Sequence, residues 1–321
     1  MKIDNLLKIL AVFLIIFISY NTFNYVQDEQ KTINVGYLPS NHHSALFVAE
    51  ARDMYGNAGI IINLVPFRSG TEIIEALEKG HIDVGYCGIA PTTMAISKGA
   101  KVKIVAPVNT GGSGLVVPVN SSGNISNLLQ NKNVAVPHSG TVQDVLLHKL
   151  LADNNITPDS IHFSNLETPF MPASLKNGKI DAYVAWEPYV TFASINGEGK
   201  VFSYSEDWWP NHPCCVVVAS DKFISEKPND LSQFLKVHVE ATKFIENNPY
   251  DSNKIISEKL GTNYQVQAES MKHLNFMYIP SENFIFDVGK FMEVQNNLGY
   301  IDNIPSYNSL YDFSFLNHQD Q

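Results

Sequence analysis

The chain has 321 residues, 45% of them hydrophobic and 11% aromatic, which is enough for one large buried core or two modest ones. Its 32 acidic and 22 basic residues leave a formal charge of −10 with no run of Lys or Arg, so no nucleic-acid partner is expected. Three cysteines, Cys87 and the adjacent Cys214 and Cys215, exclude a disulfide framework.

Residues 6–20 (LLKILAVFLIIFISY) are apolar apart from Lys8 and Ser19, follow Lys2, and precede a polar stretch over 21–31. Such a segment serves export or anchoring, so residues 1–30 are set apart from the fold as a signal or anchor segment with its linker. The run is short for a span of about 20 residues, which favours a cleaved signal peptide. Against that, no A-x-A site follows Ser19, which favours an uncleaved membrane anchor. Either way the remainder is expected outside the cytoplasm, membrane-anchored or secreted, at the cell surface or in the periplasm.

From Lys31, β-rich runs alternate with helical patterns, at 33–37, 45–54, 60–65, 72–79 and 82–86. Alternation of this kind predicts βαβ crossovers, a mostly parallel sheet and the α/β class. Ile73, Ile74 and Leu77 form the apolar stripe of one helix, which stops at Gly80. This unit then recurs. Leu77, Gly80, Ile82 and Asp83 in LEKGHIDV answer Leu175, Gly178, Ile180 and Asp181 in LKNGKIDA at an offset of 98. Pro39 answers Pro137 at the same offset of 98, and Pro91, placed to open a helix, answers Pro188 at 97. Two similar lobes are therefore predicted. Lobe I takes 31–119 and 214–316, and lobe II takes 120–213, entered through the turn-rich stretch 120–124. Helical patterns fill 231–247, 250–260, 265–271 and 284–298, and 317–321 form a loose polar tail. The Cys214–Cys215 pair reads as two small buried side chains beginning a strand over 215–219, with a redox or metal element as the competing reading.

Several segments together resemble one family: Gly36-Tyr37-Leu38-Pro39, Phe67-Arg68-Ser69-Gly70-Thr71, Gly80-His81-Ile82-Asp83-Val84-Gly85, Gly88-Ile89-Ala90-Pro91 and Ala185-Trp186-Glu187-Pro188-Tyr189. They resemble the ABC importer binding proteins for nitrate, bicarbonate, taurine and aliphatic sulfonates, across about residues 31–300. The resemblance implies a type II periplasmic-binding-protein fold, with two α/β lobes, two crossover strands and a solute held in the cleft between them. It also implies an ABC permease and its ATPase as partners. The same fold is similar to enzymes and precursor-binding proteins of thiamine pyrimidine synthesis, which stands as the alternative.

In open α/β sheets ligands bind beyond the carboxyl ends of the strands, where helix N-termini offer unpaired N–H groups to an anion. Three loops qualify. Ser40, Asn41, His42 and His43 follow the first strand; Arg68, Ser69, Gly70 and Thr71 follow the second; and His138, Ser139, Gly140 and Thr141 follow a strand of lobe II. Gly88, Trp186 and Glu187 complete the candidate ligand set. Each has a plainer role open to it. Ser40, Ser139 and Thr141 are natural helix caps, Arg68 can pair with Glu72, and Glu187 either contacts the solute or favours a helix N-terminus. His42 and His43 are expected as donors and not as metal ligands, because no Asp or Glu stands near at ligand spacing. The glycine-rich stretch Thr110-Gly111-Gly112-Ser113-Gly114 lacks the G-x-x-x-x-G-K-[ST] pattern, so it is no nucleotide loop. No cofactor and no metal are expected, and the absence of G-x-S-x-G, H-E-x-x-H and C-x-x-C disfavours an enzyme. A monomeric solute-binding protein, anchored or secreted, is the resulting expectation.

Overall fold

The computed structural model describes residues 32–316. The expected signal or anchor over 1–30 and the tail over 317–321 lie outside the described residues. Among the described residues no helix is long and apolar enough to cross a membrane.

Among the described residues, eleven strands are distributed over two sheets. The first holds β1 (Thr32–Tyr37), β2 (Ile61–Pro66), β3 (Val84–Gly88), β4 (Val102–Gly111), β10 (Pro213–Ser220) and β11 (Leu274–Phe276), in the order β11-β4-β10-β3-β1-β2. The second holds β5 (Ser113–Val117), β6 (Asn133–Val136), β7 (His162–Asn165), β8 (Ala182–Trp186) and β9 (Lys200–Tyr204), in the order β7-β6-β8-β5-β9. With helices on both, this is the expected two-sheet α/β fold.

The sheets are mixed where a mostly parallel arrangement was expected. β1 runs parallel to β2 and β3, and β6 parallel to β7 and β8, through helical crossovers. β10 lies antiparallel to β3 and β4, and β5 antiparallel to β8 and β9. Those two strands arrive from the other sheet and not through a crossover helix, so nothing obliges them to run with their neighbours. The first passage falls at Gly111–Gly112, between β4 and β5, so 113–117 belong to the second sheet and the break expected after Val119 is displaced toward the N-terminus. Both repeated prolines stand at helix starts. Pro91 lies inside the first turn of the helix Ile89–Ser97, where its missing N–H costs nothing, and Pro188 is the N-cap of the helix Tyr189–Ile195.

The sequence repeat is a repeat of geometry. Gly80 and Gly178 each leave a helix with φ of 69° and 66°, left-handed values that a side chain would resist. In both turns the following residue donates back five positions, His81 N to Ala76 O at 2.9 Å and Lys179 N to Ser174 O at 2.9 Å. The aspartates then perform one task twice. Asp83 Oδ2 accepts from Asn34 N at 2.8 Å, and Asp181 Oδ2 accepts from Asn133 N at 2.9 Å, so one carboxylate fastens the start of β3 to β1 and the other the start of β8 to β6.

Side-chain alternation fills the core. In the second sheet Leu115, Val117, Val134, Val136, Ala182 and Val184 pack on one face, while Val116, Ala135, Tyr183 and Ala185 pack on the other. The first sheet is buried likewise, with Val84, Tyr86, Val216, Val217 and Val218 fully inside. Both sheets are thus rigid platforms, and the loops at their carboxyl ends are where function has room.

Candidate functional site

A cavity of about 540 Å³ opens between the two sheets. Its walls come from the ends of parallel strands on both sides: Leu38, Pro39, Ser40, His42 and His43 after β1, Phe67 to Glu72 after β2, and Gly88 with Pro91 after β3. From the opposite side come Pro137, His138, Ser139 and Thr141 to Gln143 after β6, Glu167 to Pro169 after β7, and Trp186 with Tyr189 after β8. Cys214 and Cys215 complete it from the start of β10, which runs against β3 and so begins where β3 ends.

Five of these wall segments contain the first turn or cap of an α-helix: Ser44–Ala51 through its N-cap His43, Gly70–Glu78, Ile89–Ser97, Val142–Asp153 and Tyr189–Ile195. Their free N–H groups and partial positive ends favour an anion. The hydroxyls at these starts act as caps as well as wall. Ser69 Oγ accepts from Glu72 N at 3.2 Å, and Thr141 Oγ1 from Asp144 N at 3.4 Å. Ser40 Oγ accepts from His42 N at 3.2 Å and donates to Glu187 O at 3.0 Å, joining the two sides of the cavity.

Gly70 is a contact glycine. A Cβ there would stand 2.6 Å from Pro91 Cγ and 2.9 Å from Cys87 Sγ. Gly70→Ala is expected to destabilise the fold by about 1–3 kcal/mol through overpacking. Urea midpoints check this, and an unchanged midpoint would show that the Pro91 ring yields.

Of the sequence-derived candidates, Ser40, His42, His43, Arg68, Ser69, Gly70, Thr71, Gly88, His138, Ser139, Thr141 and Trp186 are brought to one cavity. Asn41, Gly140 and Glu187 are not among its wall residues. Asn41 is fully buried and gives its amide to Ser270 Oγ at 2.8 Å. Gly140 turns the chain at φ 80° and donates to Asp144 Oδ2 at 2.8 Å. Glu187 is also fully buried, its Oε2 accepting from Thr191 N at 3.0 Å and its Oε1 from Thr191 Oγ1 at 2.7 Å. Burial pushes its carboxyl up to about 8, against the pull of the two Thr191 bonds. Both carboxyl oxygens are thus taken up by Thr191 in the first turn of the helix Tyr189–Ile195.

Arg68 lies in the cavity wall, but its guanidinium does not pair with Glu72. Only its backbone N–H donates to Glu72 Oε2, at 3.0 Å, while its guanidinium reaches Glu167 Oε1 across the mouth at 3.8 Å. Both side chains are more than half exposed, so the pair is a weak, salt-sensitive latch. Sequence reasoning did not select Glu167 or Thr168. The repeat held the signal: they follow Leu166 as Arg68 and Ser69 follow Phe67, at an offset of 99.

Three polar atoms of wall residues lack a protein partner: His43 Nε2, Thr168 Oγ1 and Trp186 Nε1. A bound solute would satisfy such atoms, which otherwise carry a desolvation cost. Burial drives the His43 imidazole down to about 3, with the neighbouring His42 adding to the shift, so His43 is neutral.

His42 is differently placed. Its Nε2 lies 3.0 Å from Gly112 O, and its Nδ1 lies 3.0 Å from Asn109 Nδ2, 3.3 Å from Cys214 Sγ and 3.8 Å from Cys215 Sγ. Burial opposes charge on His42, but the Cys214 sulfur and the Gly112 carbonyl outweigh it and raise the imidazole. The Cys214 thiol falls well below its ordinary range because Cys215 donates to it, against burial and with help from His42. Adjacent strand residues normally face opposite ways; a register shift between Cys215 and its neighbours on β4 brings both sulfurs to one side.

With this geometry established, three comparisons bear on it. The sequence matches the model of the NMT1-like family over residues 26–258. It is 25% identical over 232 residues to the taurine-binding periplasmic protein of Escherichia coli (strain K12), covering 71% of this chain and 70% of that protein. The structure is similar to the ligand-binding component of an ABC-type import system from Staphylococcus aureus, solved with zinc bound, at a TM-score of 0.80 and 20% identity over 91% of this chain and 99% of the other. It is also similar to the alkanesulfonate-binding protein SsuA from Xanthomonas axonopodis pv. citri bound to MOPS, at a TM-score of 0.77 and 19% identity over 87% and 98% of the two chains. The structural likenesses establish the fold of periplasmic binding proteins.

Proposed function

The chain belongs to the NMT1-like family, and on that premise we propose that it is the extracytoplasmic solute-binding protein of an ABC importer, taking a small anionic or zwitterionic solute of the sulfonate, taurine or nitrate kind. The observation that carries this reading is the convergence of helix N-termini from both sheets on one cavity. The two carboxylates in its wall, Glu72 and Glu167, are engaged by Arg68. Backbone N–H groups, hydroxyls and the Trp186 indole supply neutral donors, and Arg68 at the mouth supplies a permanent cation. Such a set binds an oxyanion by hydrogen bonds without needing a buried charge. With Glu187 turned away, an amine on the solute is not required.

Residues 1–30 serve in this reading as export signal or membrane anchor, and the bound domain, a monomer, hands its solute to a permease driven by an ATPase. Binding without turnover is the activity, consistent with relatives that are binding proteins. Thermal unfolding of the full chain with alkanesulfonates, taurine, nitrate, bicarbonate and a thiamine pyrimidine precursor tests it. A solute at about 100 times its Kd should add about 2.7 kcal/mol, raising Tm by roughly 5 °C or more. If the pyrimidine alone shifts Tm, the thiamine-precursor reading replaces this one; if no anion does, the oxyanion site is wrong.

A further inference from the structure

We propose that His42, Cys214 and Cys215 form a site for a thiophilic divalent cation of the Zn²⁺ class in the wall of the cavity, with one coordination position left open for a water or a solute atom. The inference stands on these side chains and holds whichever solute the cavity takes.

The spacing is that of a tetrahedral shell. With Zn–S near 2.3 Å and Zn–N near 2.05 Å, two sulfurs of such a shell lie about 3.8 Å apart, and each sulfur lies about 3.6 Å from the nitrogen. The sulfurs of Cys214 and Cys215 are 3.7 Å apart, and they lie 3.3 and 3.8 Å from His42 Nδ1. Little movement separates the side chains from an ion's requirements.

The histidine is already prepared as a ligand. Gly112 O can only accept, so the Nε2 facing it at 3.0 Å carries the proton and Nδ1 presents its lone pair to the sulfurs. At present that lone pair receives the Asn109 amide at 3.0 Å, while Asn109 Oδ1, in a fully buried residue, has no protein partner. An ion would displace the Asn109 bond and the hydrogen bonds that the sulfurs make with each other and with His42, release the thiol protons to solvent, and form two metal–thiolate bonds and one metal–nitrogen bond. Two thiolates and a neutral imidazole also cancel the charge of a dication, so the filled site buries no net charge. All three residues are nearly inaccessible yet border the cavity, which provides the path of entry and leaves the fourth position on its side.

Soft sulfur ligands select zinc-like ions over magnesium or calcium. Three protein ligands with an open position are the pattern of zinc sites that bind or activate something else, where closed structural sites use four.

The test is Co²⁺ titration of the reduced, detergent-solubilised full chain under anaerobic conditions. One cobalt per chain is expected, with a sulfur-to-cobalt charge-transfer band, visible d–d bands of tetrahedral cobalt, and displacement by Zn²⁺. Cys214→Ser and Cys215→Ser should each weaken binding by more than about 100-fold, beyond the loss that follows removal of an outer partner. Cys87→Ser, whose thiol lies outside the cluster, should bind as before. Because the serine variants can fail to fold, X-ray absorption of the zinc-loaded unmutated chain gives an independent reading: two sulfurs and one nitrogen around the metal. Absence of a charge-transfer band, retention of that band in the double serine variant, a sulfur-free shell, or a Cys214–Cys215 disulfide persisting after reduction would each overturn the proposal.

Discussion

Gly112→Ala is expected to lower the unfolding free energy by about 2–4 kcal/mol and to abolish solute-dependent stabilisation. Gly112 has φ 81°, where a Cβ is strained whatever the space around it. The space is also taken: an added Cβ would lie 2.7 Å from His42 Cε1, 2.8 Å from His42 Nε2 and 2.9 Å from Leu274 Cδ2. Its backbone is a node between the sheets. Gly112 O accepts from Glu187 N at 2.9 Å and faces His42 Nε2 at 3.0 Å, while Gly112 N donates to Glu206 Oε1 at 2.9 Å. A side chain here pushes the His42 ring out of the cavity wall and strains the first passage between sheets. Urea denaturation and Tm with and without solute measure both effects. A midpoint within about 0.5 kcal/mol of the unmutated chain, with the solute shift intact, would show that the passage tolerates a methyl group.

Glu187→Gln is expected to remove a component of pH-dependent stability worth on the order of 4 kcal/mol between pH 5 and pH 9. The Glu187 carboxyl is raised to about 8 from 4.5, so between these values the folded chain holds a proton that the unfolded chain has released. Stability from this group is therefore complete below about 4.5 and falls as pH rises, by at most about 1.4 kcal/mol per unit, until it levels above about 8. Three buried histidines act in the opposite sense. His43, lowered to about 3, His238, lowered to about 4, and His212, also lowered by burial, destabilise the fold as pH falls below about 6.5, where the unfolded imidazoles protonate. The difference between the unmutated chain and Glu187→Gln isolates the carboxyl, because the amide retains an acceptor for Thr191 and cannot ionise. Denaturant midpoints from pH 5.5 to 9 should show the variant gaining on the unmutated chain as pH rises. Parallel curves would mean that Glu187 is ionised in the fold at neutral pH.

Much of the molecule was readable from residue order because its causes are local. The L-x-x-G-x-I-D segments turn alike at 77–83 and 175–181, since the glycine stop and the back-donating residue after it act within a few residues, and only their aspartates reach partners 49 and 48 positions away. The same locality places Ser40, Ser69 and Thr141 at helix starts. Loops that follow parallel strands meet at one end of the sheets, which is why twelve of the candidates share a cavity.

What distant segments do to one another was not readable. Glu187 reads as a ligand or a dipole partner, and its full burial, with Ser40 Oγ on its carbonyl and Gly112 O on its N–H, comes from segments far along the chain. The passage at Gly111–Gly112 precedes the turn-rich stretch that looks like a boundary, because β5 is held by β8 and β9 and not by its own composition. Cys214 and Cys215 alternate like any strand pair until β4 imposes a shifted register and His42, 172 positions away from Cys214, closes over them. Residue order by itself determined the repeated unit, the strand-end loops and the α/β class, all products of short-range sterics and hydrogen bonding. The tertiary structure alone decided which polar groups face the cavity and which are consumed inside the fold, because burial and pairing depend on neighbours that only the folded chain supplies.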